Sequence, residues 1–244
     1  MNDSKYVKAL FISLAVVLSA VILGYAWVKS KAPRHTIAVT GSARKDFTAD
    51  LIRWEARISR LAPDLKTANQ LLAEDISFVK AFLAKWNLKE GTCRFTPIMA
   101  RRKYKNTYKE GDLVSEEFIG FEVEQTLIVE SPDIETVEKM IGQIGEIISR
   151  GIEFEAGDPE YFYTKLVDLK LSLLEKAAED ARARAQTIAT TGGGRLGKLI
   201  DASMGVFQIT AQNSNEPFEW SGTFNTKSKY KTAYITVRLA YELR

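Results

Sequence analysis

Few residues in this 244-residue chain are of a type and spacing that could do chemistry. Gly192-Gly-Gly-Arg-Leu-Gly197 matches G-x-G-x-x-G, a pattern whose backbone can cradle a pyrophosphate. That use needs a strand before the motif and a helix after it. Here a helical pattern runs into the glycines and a strand pattern leaves them, so they read as a helix stop. Glu153 and Glu155 share one face of a short strand pattern, and Asp158 precedes Pro159. Paired acids in a cleft could cleave a glycoside or hold a cation. Only one histidine (His35) and one cysteine (Cys93) exist to support them, and no calcium-loop or G-x-S-x-G pattern occurs. No catalytic residue, metal site or cofactor is therefore expected.

Two groups point to recognition instead, and a third reads as surface. Arg101, Arg102, Lys103, Lys105 and Lys109 form a basic stretch with Tyr104 and Tyr108. Strand alternation sends Arg101 and Lys103 to one face, and Glu110, Asp112, Glu116 and Glu117 are placed to neutralise the stretch across a hairpin. Phe218, Trp220 and Phe224 sit in a polar run and could anchor a partner or a second copy, or fold back over a sheet edge. Asp180, Arg182 and Arg184 read as a solvated, salt-bridged helix face. The candidate partner or oligomer contacts are thus Phe218, Trp220, Phe224, Arg101 and Lys103.

Charge excludes one class of partner. The net charge is +3, with 34 basic and 31 acidic residues. Lys5, Lys8, Lys29 and Lys31 against Asp3 carry all of that excess, so residues 32–244 are neutral. A neutral body is a poor match for a phosphate backbone, and no nucleic-acid partner is expected.

Residues 9–28, ALFISLAVVLSAVILGYAWV, contain no charge. Twenty residues at a rise of about 1.5 Å reach about 30 Å, the hydrocarbon thickness of a bilayer. Tyr25 and Trp27 lie near one end, where amphipathic rings favour the interface. A secretory signal's apolar run is about 7–15 residues, so an uncleaved anchor is favoured over a cleaved signal. Gly24-Tyr25-Ala26 keeps the cleaved, soluble periplasmic form open. The positive-inside rule does not orient the span, since lysines flank both ends. The working expectation is a single-pass protein of the inner (cytoplasmic) membrane with its main domain outside the cytoplasm.

The elements that must position these groups follow from periodicity. A strand is expected at 35–40, ending at Gly41. In 49–61, Ile52, Trp54, Ala56 and Ile58 alternate with Arg53, Glu55, Arg57 and Ser59, a half-buried strand. A helix runs from Pro63-Asp64 to about Trp86 on Ala68, Leu71, Leu72, Val79 and Leu83. Strands at 94–104 and 114–130 flank a polar loop at 105–112. Ser131-Pro132 caps a helix carried by Ile134, Val137, Ile141, Ile144 and Ile148, ended by Gly151. A strand at 151–155 leads to Asp158-Pro159, which opens a long helix to about 191 with Leu166, Leu169, Leu173, Ala177, Ala181 and Ile188 inward. Strands at 198–211 and 230–243 flank a loop at 212–229. Cys93 reads as a half-buried residue at a strand start. Strands with one wet face predict α+β: largely antiparallel sheets with amphipathic helices packed on one side, preceded by one N-terminal transmembrane helix. The domain plan is a short tail at 1–8, the anchor or signal at 9–28, a linker at 29–34 and one domain at 35–244.

Several blocks resemble SIMPL-domain proteins. HTIAVTGSARKDFTADLIRWEARIS is similar to their opening strand, V-T-G turn and long alternating strand. Phe118-Ile-Gly-Phe121 through Ile128 resembles their central strand, and Ile152 to Pro159 their I-x-F-x-x-x-D-P junction. KAAEDARARAQTIATTGGGRLGKL resembles the family's helix and glycine turn, with Thr190, Thr191 and Gly192 departing from its Leu-Ala segment. ITVRLAYEL resembles the closing strand. The resemblance implies a bacterial-type cell-envelope protein without established enzymatic activity, active site or cofactor. The resulting expectation is a non-catalytic, membrane-anchored, extracytoplasmic protein acting through self-association or an envelope protein partner, with a homo-oligomer expected and a stress-related role. The alternatives are a binding module for a small envelope ligand and a hydrolase without a recognisable motif.

Overall fold

The computed structural model describes residues 3–30, 35–109 and 111–244. It is α+β with two antiparallel sheets. The chain divides into two compact units, residues 42–177 with 205–236, and residues 1–41 with 178–204 and 237–244.

The larger unit is organised around β2 (Leu51–Ala62). Its alternation places Ile52, Trp54, Ala56 and Ile58 at no more than 1% exposure. On one edge β2 pairs with β5 (Asp112–Ser131), from Ile52 opposite Ser131 to Ala62 opposite Phe121. On the other edge lie β6 (Glu153–Ala156) and β7 (Glu160–Phe162). β3 (Cys93–Phe95) and β4 (Met99–Lys109) pair with the far side of β5. The helix α2 (Leu65–Ala84) starts at Asp64, whose carboxylate accepts the Thr67 amide at 2.9 Å. Its Ala68, Leu72, Ile76, Val79 and Leu83 join β2 and Val123, Leu127 and Val129 of β5 in one core. The short helices α3 (Ile134–Ile141) and α4 (Gly145–Ser149) add Ile134, Val137, Met140 and Ile147 to it. Trp54 Nε1 donates to the Gly157 carbonyl at 2.8 Å, so the largest core side chain leaves no polar atom unpaired.

The second sheet has the order β1 (Thr36–Thr48), β10 (Tyr230–Leu243), β8 (Leu196–Met204), with β9 (Gln208–Ala211) also on β10. Leu243 N donates to His35 O and Ala49 N to Lys229 O, which fixes β1 and β10 as antiparallel. In the smaller unit the C-terminal part of α5 (Leu166–Thr191) buries Ala181, Ala185 and Ala189 at every fourth position.

Several expected boundaries move. β1 does not stop at Gly41 but continues to Thr48. The expected loop at 105–112 is mostly strand, because cross-strand pairing carries β4 out to Lys109 opposite Asp112. The cap expected at Ser131-Pro132 falls on Asp133, which accepts from both the Thr136 amide and hydroxyl; Ser131 Oγ instead accepts the Asp133 amide. The single helix expected after it is two helices separated at residues 142–144, and the break turns Ile147 inward and leaves Ile148 exposed. Asp158-Pro159 opens no helix: β7 intervenes, and α5 begins at Leu166. Leu71 and Ile188 are exposed, with Ala189 taking the inward place near the end of α5. The strand expected at 198–211 is divided at Gly205, whose amide turns to the Thr236 carbonyl. Ser59, expected on the wet face, is covered.

The N-terminal helix α1 runs Asp3–Ser30. Among the described residues, no helix is long and apolar enough to cross a membrane. The described side chains of α1 are those of 13–27, all exposed. The side chains at 9–12 and 28 of the expected span lie outside the described residues.

Candidate functional site

The basic stretch belongs to a two-stranded ribbon. β4 pairs with β5 from Met99 opposite Glu124 to Lys109 opposite Asp112, with a register shift between Lys103 and Tyr104 and another between Thr107 and Tyr108. Because β2 ends at Ala62, opposite Phe121, residues 112–120 of β5 have no strand on that side among the described residues. Gly120 marks the divide. Its φ is +145°, and a Cβ there would stand 2.4 Å from the Ala62 carbonyl oxygen. Beyond it the ribbon is exposed on both faces, leaving Tyr108, Leu113, Val114 and Ile119 to solvent. Phe118 holds the base of the ribbon edge-on between Tyr104 at 5.6 Å and Phe121 at 5.4 Å.

Arg101 and Lys103 share a face, as alternation requires. Arg101 pairs with Glu122 and Glu124, and Lys103 with Glu122 at 3.0 Å. These partners differ from the four acids expected; Glu110 lies outside the described residues. Toward the tip, Lys105 stands opposite Glu117 and Asn106 opposite Glu116. The ribbon is thus a strand whose only charges are basic against a strand end whose only charges are acidic.

Phe218, Trp220 and Phe224 are separated by the loop that carries them. Phe218 stacks on Tyr234 of β10 at 5.2 Å with 21° between ring planes. Phe224 forms a parallel bridge to Ile209 of β9. Trp220 is fully exposed. The loop is pinned from beneath by residues that the sequence pattern did not single out. Gln208 donates to the Glu219 carbonyl at 2.9 Å and accepts the Thr223 amide at 2.7 Å. Glu216 accepts the Ala211 amide at 2.9 Å and also the Asn225 side chain. Lys231, only 2% exposed, donates to the Asn225 carbonyl. Burial pulls its ammonium down to about 8, with Glu216 opposing the shift. A lysine at an inward strand position was the available signal for this pin. An open cavity of about 350 Å³ lies beside the loop, lined by Arg44, Asn213, Ser214, Glu216, Phe218 and Tyr234 among others.

Of the remaining candidates, the glycine turn, Asp180, Arg184 and Glu155 have structural partners. α5 ends in a Schellman turn: Gly194 N donates to Ala189 O, Gly193 N to Thr190 O, and Gly193 has φ +78°. β8 follows, so the order is helix then strand. Arg184 pairs with Asp180 one turn earlier at 2.9 Å. Glu155 pairs with Arg57. Cys93 opens β3, where burial pushes its thiol up and away from the thiolate that a nucleophile needs. Asp46 is held below the usual carboxylate range chiefly by the Thr232 hydroxyl.

Comparison with known proteins adds a family but no activity. No curated protein matches the chain. Among solved structures, the de novo designed protein Foldit4 is similar at 16% identity over 44% of this chain and 93% of its own, with a TM-score of 0.22. The family described as SIMPL, a protein of unknown function (DUF541), matches residues 37–237. That match takes in the first sheet with its β4–β5 ribbon, the loop at 212–229 and most of the second sheet, and the chain belongs to the SIMPL family.

Proposed function

We propose that the protein is a non-catalytic scaffold that assembles with copies of itself through the β4–β5 ribbon, tethered by its N-terminal helix to the inner membrane with the 35–244 domain outside the cytoplasm. The observation that carries the reading is the charge sorting of the ribbon's two open edges. β4 holds Arg101, Arg102, Lys103, Lys105 and Lys109 and no acid. The β5 end at 112–120 holds Asp112, Glu116 and Glu117 and no base. Two β4 edges brought together would oppose like charges, which is how edge strands avoid self-pairing. A β4 edge meeting the β5 edge of another copy continues the sheet with alternating signs. That contact is heterologous, so it repeats around a ring or along a filament. It also covers part of the apolar surface of Leu113, Val114 and Ile119, which a lone ribbon leaves in water. The uncharged run at 9–28 within a helix that extends from Asp3 to Ser30 supports the tether.

Charge reversal tests the contact. Glu116→Lys with Glu117→Lys makes both edges basic, and the assembly mass by light scattering should fall to that of the single chain. Adding Arg102→Glu, Lys105→Glu and Lys109→Glu in the same chain leaves β4 net acidic against a net basic β5 end and should restore the mass. An unchanged mass in the first variant rejects the ribbon as the contact.

A further inference from the structure

We infer that the cavity beside the 212–229 loop binds a neutral saccharide. This is independent of ribbon assembly. Three features select the ligand class. The first is an aromatic wall: Phe218 and Tyr234 stack on each other, and Phe218 keeps 57% of its surface in solvent at the cavity lining. Such a surface receives the C–H face of a sugar ring. The second is a set of unspent polar groups of both kinds. The Tyr234 hydroxyl and the Asn213 amide line the cavity and have no hydrogen-bond partner among the described residues. Hydroxyl groups of a sugar donate and accept, and so satisfy both. The third is charge. Arg44, the cation of the lining, lies 3.4 Å from Asp46, and Glu216 lines the same cavity. A cation already paired with one carboxylate, in a lining that holds a second, is a poor seat for phosphate or a sugar acid, but it can bond a neutral hydroxyl.

The site is also built rather than incidental. Its outer wall is the loop segment fixed by Glu216, Gln208 and the buried Lys231, so little chain must be ordered when a ligand enters. Its volume, about 350 Å³, falls at the lower end of small-molecule sites. That size suits one or two sugar rings. Asn213, which lines the cavity, holds φ +56°, a left-handed conformation.

The experiment uses the full chain in a detergent without a sugar head group. Cellobiose, chitobiose and maltose are titrated while backbone amide shifts are followed by NMR. At least one should shift the amides of 210–218 and 232–234 saturably at millimolar concentration. Tyr234→Phe keeps the stack and removes the hydroxyl. Asn213→Gly keeps the left-handed backbone and removes the amide. Each should weaken that sugar by about three- to tenfold, the range for one lost neutral hydrogen bond. Phe218→Ala should weaken it by at least about tenfold. The Glu116→Lys, Glu117→Lys chain should bind as the parent does, which separates this site from the assembly contact. Silence from all three sugars, shifts confined elsewhere, unaltered binding in the three cavity variants, or displacement by inorganic phosphate would overturn the inference.

Discussion

The inner half of β5, residues 121–131, and its outer half, residues 112–120, are one continuous strand, but their surroundings are opposite. The inner half lies between β2 and the β3–β4 side of the sheet and under α2, and it buries Val123, Leu127 and Val129 completely. Among the described residues the outer half has only β4 beside it, and its Leu113, Val114 and Ile119 remain in solvent. Both halves mix apolar and charged residues. Burial is therefore decided by where the neighbours stop, here at Ala62, and not by the strand's own pattern. A strand that outruns its cover is stable only while the covered half holds it.

The sharpest test of that contrast is in the covered half. Trp54→Ala removes a side chain 1% exposed that packs against α2 and β5 and bonds the Gly157 carbonyl. Denaturant unfolding should show a loss of about 3–5 kcal/mol. A loss below about 1 kcal/mol would mean that the core of this half is not assembled around β2 as described.

The divide itself comes next. Gly120→Ala places a Cβ against the Ala62 carbonyl at a φ of +145° that side chains rarely adopt. The expected cost is about 1–3 kcal/mol, the range for a strained backbone. An equal or higher stability would show that the ribbon leaves the sheet without this conformation.

Particular residues show what the sequence could and could not say. Alternation through Ile52, Trp54, Ala56 and Ile58 made β2 legible, because a half-buried strand writes its face into its residue types. The cap-like pairs Ser131-Pro132 and Asp158-Pro159 misled. Proline suits a first helical turn, but it equally suits the entry to a turn or a short strand, and the helix cap falls on Asp133, which accepts the Thr136 amide. The ribbon was hidden for a related reason. Lysines, asparagine and glycine near 105–112 read as loop by composition, whereas pairing with β5 overrides weak propensity. Of the candidate contacts, Arg101 and Lys103 were placed on one face from alternation alone. Nothing local announced that Glu122 and Glu124 would meet them, or that Phe218 would find Tyr234, because both depend on long-range register.

The smallest effect belongs to the uncovered half, and it carries the comparison furthest. Phe118→Ala removes edge-on contacts to Tyr104 and Phe121 on a ribbon open to solvent, so the dilute chain should lose only about 0.5–1.5 kcal/mol. At concentrations where the parent assembles, a contact between copies would cover the same ring, and mass action then adds to the stability of the parent alone. The difference between parent and variant should therefore widen as chain concentration rises in parallel denaturant titrations. A difference independent of concentration would mean that Phe118 serves only its own ribbon. A dilute-chain loss as large as that of Trp54→Ala would mean that the outer half is covered within the single chain, and the contrast between the two halves would fail.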